Sequence, residues 1–379
     1  MTEPATVIIP DELKPSDGRF GSGPSLVRPE QVLALVEGPR AGLLGTSHRA
    51  APVRSLVGAL REGVAELFGL PPGYEVLLGD GGATAVWDAL TFGLIEQRSQ
   101  HAVSGEFGAK FAQAATAAPQ LGQPTVIEVQ PGRRALCQAE ADVDVYAWTH
   151  NETSTGVMTP VLRPAGAAEG QLVVVDGTSG AGGLLMDAAQ TDFYYFSPQK
   201  NFGADAGVWF AFASPAGVER IERIAAGGRW MPSFLSLSKA LANSRKNQTL
   251  NTPGIAALIL MEAQVNWLLE HGGLAWAHAR TCQSSRVLYE WAEACPVAEP
   301  FVQEAVARSQ VVVTIDFAES VDAARLVATL RANGIVDVDP YRSLGRNQLR
   351  VATFVSREPA DVVKLTQCLD YLLDAWGVV

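Results

Sequence analysis

The chain has 379 residues, 47% hydrophobic and 18% charged, with a formal net charge of −11 at pH 7. That is enough apolar material for a large core, and at roughly 100–200 residues per domain the length implies two or three domains, or one large α/β domain with an appendage. An acidic chain of this kind has no general footprint for nucleic acid or an anionic membrane, so a pocket for anionic ligands has to be built locally, against the global field.

The N-terminal stretch MTEPATVIIPDELKPSDGRF has no basic region and no apolar run of signal length, so export is not expected and the expected location is the cytoplasm. No apolar run of about 18 residues reads as a membrane span. Short β-rich runs then alternate with helical segments. Strands are expected at 74–79 (YEVLLG), 125–129 (TVIEV), 143–148 (VDVYAW), 171–175 (QLVVV), 193–196 (FYYF) and 206–212 (AGVWFAF). Several are continuous apolar runs, which suits strands buried on both faces of a mostly parallel sheet flanked by helices. In such sheets ligands sit at the carboxyl ends of the strands.

The last hundred residues read differently. A strand at 310–317 (QVVVTIDF) leads to a helix at 321–331 that stops at Asn333-Gly334. A strand at 347–354 (NQLRVATF) precedes a final helix from Pro359, with Leu365, Leu369, Leu372 and Trp376 on one face. The expected organisation is a large domain over 1–280, including an N-terminal arm, and a small α+β domain over 281–379. Cys137, Cys282, Cys295 and Cys368 are widely spread with no CxxC pairing, so isolated thiols are expected, with neither disulfide nor metal site.

Residues just past the strands carry the candidate chemistry. Asp80-Gly81-Gly82-Ala83-Thr84 links a strand to a helix, where a tight turn and free N–H groups could receive an anion, or simply make a turn. Asp176 closes a buried strand, and a carboxylate there needs a cation or donor: a protonated pyridine nitrogen, a metal, a ribose hydroxyl or a helix cap all qualify. Lys200, in FYYFSPQKNFG, follows the next strand in apolar surroundings that lower an amine's pKa and sharpen it as a nucleophile. An acid closing one buried strand and a lysine closing the next, 24 residues on, is the pair a pyridoxal-phosphate (PLP) site needs. Asn251-Thr252-Pro253 precedes an apolar helix, with Thr252 as the expected N-cap and Pro253 as the first helical residue. His48, Arg49, Arg342, Arg346 and Arg350 are candidate anion ligands, and Arg350 stands out for lying inside an apolar strand pattern.

Together GTSHRAAP, YEVLLGDGGATAVWDA, AWTHNETSTG, VVVDGTSGAGG, YYFSPQKNFG, KNQTLNTP and YRSLGRNQLRVA resemble the phosphoserine aminotransferases in their actinobacterial form, over nearly the whole chain from 19–31 (RFGSGPSLVRPEQ) to the last helix. The resemblance implies a fold-type I, class V PLP enzyme: a large, mostly parallel seven-stranded sheet domain with a smaller α+β C-terminal domain, acting as a homodimer. It implies that Lys200 is the Schiff-base lysine and Asp176 the partner of the pyridine nitrogen. Thr153 would bond the cofactor's 3′ oxygen and Phe107 would stack on the ring. Ala83, Thr84 and Gln199 would serve the cofactor phosphate, joined by Asn251 and Thr252 from the second subunit. Arg350 would hold the substrate α-carboxylate; His48, Arg49 and Arg342 would hold its distal anion. The chain departs from better-known members at Phe107 (often tryptophan), Thr84 (arginine) and Tyr341 (histidine), and Arg346 is the candidate replacement for the lost phosphate contacts. The implied reaction interconverts O-phospho-L-serine plus 2-oxoglutarate with 3-phosphohydroxypyruvate plus L-glutamate, in serine biosynthesis, with a related phosphorylated substrate in vitamin B6 synthesis. The alternative is another class V aminotransferase, of serine–pyruvate or alanine–glyoxylate type.

Overall fold

The computed structural model describes residues 7–379; the first six residues of the N-terminal stretch lie outside that range. Helices α1 (Pro29–Val36) and α2 (Ala51–Leu67) come first. Then follow β1 (Glu75–Asp80), α3 (Ala83–Gly93), β2 (Ser99–Val103), α4 (Glu106–Ala117), β3 (Thr125–Glu128) and β4 (Val145–Thr149). A short hairpin, β5 (Asn151–Glu152) and β6 (Val157–Met158), leads to β7 (Leu172–Asp176), β8 (Phe193–Phe196) and β9 (Val208–Ala213). Helices α5 (Pro215–Ala226), α6 (Leu237–Ser244), α7 (Ile255–Glu270) and α8 (Gly273–Ala294) come next, and then β10 (Ala298–Pro300), β11 (Val312–Phe317), α9 (Ala323–Ala332), β12 (Gln348–Ala352) and α10 (Pro359–Ala375).

Seven strands make one sheet in the order β1-β9-β8-β7-β4-β2-β3. Only β9 runs antiparallel to its neighbours. The alternation of strand side chains divides the apolar residues between two faces. On β4 and β8, Tyr146, Trp148, Tyr194 and Phe196 join a core with α2 and α7. Val145, Ala147, Phe193 and Tyr195 join the opposite core, under α3, α5 and α6. The first face is aromatic: Phe68 lies 5.8, 5.8 and 5.2 Å from the rings of Tyr194, Phe196 and Phe212. Each such side chain, fully buried, contributes on the order of 2–3 kcal/mol.

The sequence reading missed β2, whose SQHAV run is polar at Ser99, Gln100 and His101. All three are buried, and His101 is satisfied by Ser99 Oγ at 2.9 Å and packs edge-on against Phe111. Local pairing of two polar side chains removes the desolvation cost that made the segment look like a loop.

A second sheet, β10-β11-β12, is antiparallel throughout and carries α9 and α10. Its core also takes Ile9 and Phe20 from the N-terminal arm. The arm is fixed there by Phe20 N–H donating to Val336 O (3.1 Å) and Ile9 N–H donating to Asn333 Oδ1 (2.9 Å). Helix α8 runs through the expected boundary at 280: Leu274 and Ala277 belong to the large sheet's core, Leu288 and Ala292 to the small one's.

The segment before α7 differs from the reading. The helix begins at Ile255 with Gly254 as its cap, two residues later than Thr252 and Pro253 imply. Gly254 keeps extended backbone (φ −66°, ψ 93°), so the Asn-Thr-Pro run stays outside the helix, with Asn251 and Thr252 exposed. The four cysteines are unpaired, and no helix of the described residues is long and apolar enough to cross a membrane.

Candidate active site

Strands β1, β7 and β8 all end at one edge of the sheet. A cavity of about 330 Å³ lies there, and its walls include Ala83, Thr84, Phe107, Thr153, Asp176, Gln199 and Lys200. Seven of the residues singled out in the sequence are thus brought together.

Asp176 is the last residue of β7 and is buried. Oδ2 accepts from Trp87 Nε1 (3.2 Å) and the Tyr195 hydroxyl (3.1 Å), and Oδ1 accepts from Thr178 N–H (2.8 Å). Burial pushes its carboxyl above the usual range, and these donors pull it back. A cationic partner in the cavity would stabilise the charged form further.

Lys200 lies four residues past β8, in the connection to β9. Burial, followed by the nearby Arg350, draws its amine down to about 8; Asp176 and Glu152 act the other way. A turn in the N-terminal segment holds it: Nζ donates to Ser22 O at 2.5 Å, and Ser25 N–H donates to Gln199 O at 2.8 Å. The turn needs Gly23 (φ +143°), since an added Cβ would stand 2.3 Å from Nζ and push the amine aside.

Thr153 follows β5. Its hydroxyl donates to Ser179 Oγ (2.8 Å), which itself donates to Asn151 O (2.9 Å). Phe107, in the first turn of α4, holds its ring 5.9 Å from Lys200 Nζ and meets Tyr341 edge-on at 6.0 Å. Arg350 projects from β12. Its guanidinium donates to Thr153 O (3.2 Å) and lies 5.1 Å from the Tyr341 ring centre. It has no ion pair among the described residues, and its buried Nε has no acceptor there. An arginine so placed is free to pair with a carboxylate.

The remaining candidates lie outside this cavity's walls. Arg49 is exposed, and His48 is half-exposed and within 3.1 Å of the Thr252 hydroxyl. Arg342 is exposed, in a turn just after Tyr341. Arg346 is engaged elsewhere: both Nε and Nη2 donate to Asp316, and the guanidinium stacks 4.5 Å over Phe301. It would have to leave that pair to reach a substrate.

Several polar atoms around the cavity are buried and unpartnered: the Thr178 hydroxyl and Gln199 Oε1 among its walls, Ser197 Oγ beside them. The N–H groups of Ala83 and Thr84, at the start of α3, also lack acceptors among the described residues. A phosphorylated heteroaromatic fits this donor set: an acid for a ring nitrogen, an amine for a carbonyl, an aromatic face, and an open helix N-terminus for an anion. The reading missed Trp87, Tyr195 and Ser179. The first two look like core aromatics, and Ser179 like one of many turn serines; only the fold turns their polar atoms toward Asp176 and Thr153.

The family described as Aminotransferase class-V matches residues 32–337. A relative from Nocardioides sp. named phosphoserine aminotransferase is 55% identical over 367 residues, covering 97% of this chain and 98% of its own. A phosphoserine aminotransferase structure from Cytophaga hutchinsonii superposes with a TM-score of 0.86 at 23% identity, covering 94% of this chain and 99% of its own. One from Bacillus circulans gives 0.81 at 19%, covering 95% and 99%. An alanine–glyoxylate aminotransferase from Nostoc sp. gives 0.78 at 19%, covering 98% and 99%. At these identities the structures establish the fold, which the two kinds of enzyme share.

Proposed function

Because the chain belongs to the class-V aminotransferase family, we propose that it is a PLP-dependent phosphoserine aminotransferase, exchanging the amino group between L-glutamate and 3-phosphohydroxypyruvate to give O-phospho-L-serine and 2-oxoglutarate. The observation that carries this reading is that Lys200 and Asp176 line one cavity, in a chain 55% identical to a relative of that name over almost its full length.

Bound there, PLP would supply an electron-withdrawing ring that stabilises the charge developing at the substrate's α-carbon. Asp176 would keep a proton on the ring nitrogen, and Trp87, Tyr195 and Thr178 hold its carboxylate in place. Phe107 would cover one face of the ring, and Thr153 would bond its 3′ oxygen. Ala83, Thr84 and Gln199 bind the phosphate at the start of α3. Lys200 is the residue that would hold the cofactor through its amine, and that amine, when free, would accept the proton from the substrate's α-carbon. An amine poised near 8 releases its proton far more readily than an ordinary lysine, so it can act as the base near neutral pH. Arg350 binds the α-carboxylate common to both substrates, which lets one site serve both halves of the reaction. His48, Arg49 and Arg342 receive the distal phosphate or carboxylate.

The finer parts of the reading are these. Two copies form a dimer in which Asn251 and Thr252 reach the partner's cofactor phosphate, which accounts for their exposure here; sedimentation of the purified protein as a monomer would remove this part. Most of residues 1–280 form the PLP-binding domain, with the arm at Ile9 and Phe20 packing into the small domain over 281–379 that brings Arg350. The enzyme works in the cytoplasm, in serine synthesis and in the related step toward vitamin B6. The deciding experiment is a spectrum of the purified protein: L-glutamate should remove the visible cofactor band and 3-phosphohydroxypyruvate should restore it. Restoration by pyruvate or glyoxylate and not by the phosphorylated acid would make it another class V aminotransferase.

A further inference from the structure

Two helices begin near the cavity at the carboxyl edge of the sheet, and the chain treats their N-termini in opposite ways. The start of α3 is open, with N–H groups that have no acceptor among the described residues. The start of α4 is closed from a distance. Its own cap position, Gly105, has no side chain to offer. Instead Phe107 N–H and Gly108 N–H donate to the two carboxylate oxygens of Glu152, at 3.2 and 3.0 Å. Glu106 N–H donates to Ser154 Oγ (3.0 Å), which donates in turn to Glu152 Oε1 (2.6 Å), joined by Ser154 N–H at 3.3 Å.

Glu152 is fully buried, in the hairpin that carries Thr153. Burial pushes its carboxyl above the usual range, and the close groups around it, all of them donors at the positive end of the α4 dipole, pull it back toward the ionised form. The bonds fix the first turn of α4, and that turn holds Phe107, whose ring walls the cavity beside Lys200. One buried carboxylate thus ties the element bearing Phe107 to the element bearing Thr153.

We propose that Glu152 is a positioning residue for the cofactor: it occupies the N-terminus of α4 so that Phe107 is held over the ring, and leaves α3 as the open helix start for the phosphate. This rests on the PLP reading above.

The test is a double-mutant cycle on PLP affinity, measured by titrating the cofactor-free protein and following the bound cofactor's circular dichroism. E152Q keeps the shape but loses the charge and one acceptor. E152Q and F107L should each weaken PLP binding about tenfold, and the double variant should bind no worse than the weaker single one. Wild-type affinity in E152Q, with only its melting temperature lowered, would overturn the proposal, as would losses that multiply in the double variant. If E152Q does not fold, S154A removes the shortest bond to the carboxylate and goes through the same cycle, with a smaller effect expected. Failure of the wild-type protein to bind PLP would instead sink the functional reading itself.

Discussion

Asp176 and Lys200 differ from the outlying candidates in how tightly they are held. Around the first pair, Trp87, Tyr195, Thr178 and the turn at Ser22 fix both groups. His48, Arg49, Asn251, Thr252 and Arg342 are exposed or half-exposed, and His48 meets Thr252 and Arg49 there. The part of the site proposed for proton transfer is prebuilt by packing around it, and the part proposed to grip distal anions is left open. Preorganisation matters most where charge moves during reaction, and least where a substrate is merely held.

The sharpest way to break this contrast is at its centre. K200A is expected to lower turnover by at least about 10⁴-fold and to abolish the visible cofactor band; a variant keeping a tenth of the activity would end the assignment. D176N should follow, with kcat down about 10²–10³-fold in a protein that still binds PLP. R350A should raise KM for both glutamate and the keto acid by about 10–100-fold, because it removes a charge-assisted contact common to both. R49A should raise KM for both substrates by less than about tenfold, since each carries a distal anion; an effect as large as that of R350A would erase the distinction between the two regions.

A pH measurement sharpens the same point. The Lys200 amine titrates at about 8 in the folded protein against 10.5 ordinarily, so capture of PLP by the cofactor-free protein should accelerate with a midpoint near 8. The folded state binds fewer protons than the unfolded chain in that window, so this group's contribution makes the cofactor-free protein more stable as pH rises from about 8 to 10.5. A midpoint above 10 would mean the amine is solvated. The smallest effect expected is from R346A, which should leave both KM values unchanged and cost about 1 kcal/mol of stability, since its pair with Asp316 is half open to water. A substrate-specific rise in KM would return Arg346 to the anion site.

What could be read from the sequence follows from the range of the interactions involved. Asp176 and Lys200 stood out because each ends an apolar run, and burial of a whole strand is written in consecutive residues. Ala83 and Thr84 stood out because glycines mark a strand-to-helix turn. Glu152 did not stand out: its role depends on a helix that starts 46 residues earlier, and nothing in HNETSTG announces that contact. Strand β2 escaped because its polar residues are paired only after folding. The Asn-Thr-Pro run carries the usual signals of a helix start, but the backbone stays extended through Gly254, a choice local propensity does not dictate. Arg350 stood out from Arg346 by lying inside an apolar strand pattern, but only the fold shows that Arg346 is tied to Asp316 while Arg350 has no acidic partner among the described residues.

The lone reversed strand has a consequence for the lysine. Since β9 returns alongside β8, the segment from 197 to 207 is a loop whose two ends are bolted side by side to the same sheet. A crossover connection would have let one end drift with a surface helix. Here the reactive amine rides a short arch on a rigid footing, so lengthening or shortening that arch should be tolerated far less well than equal changes in the loops on the opposite rim.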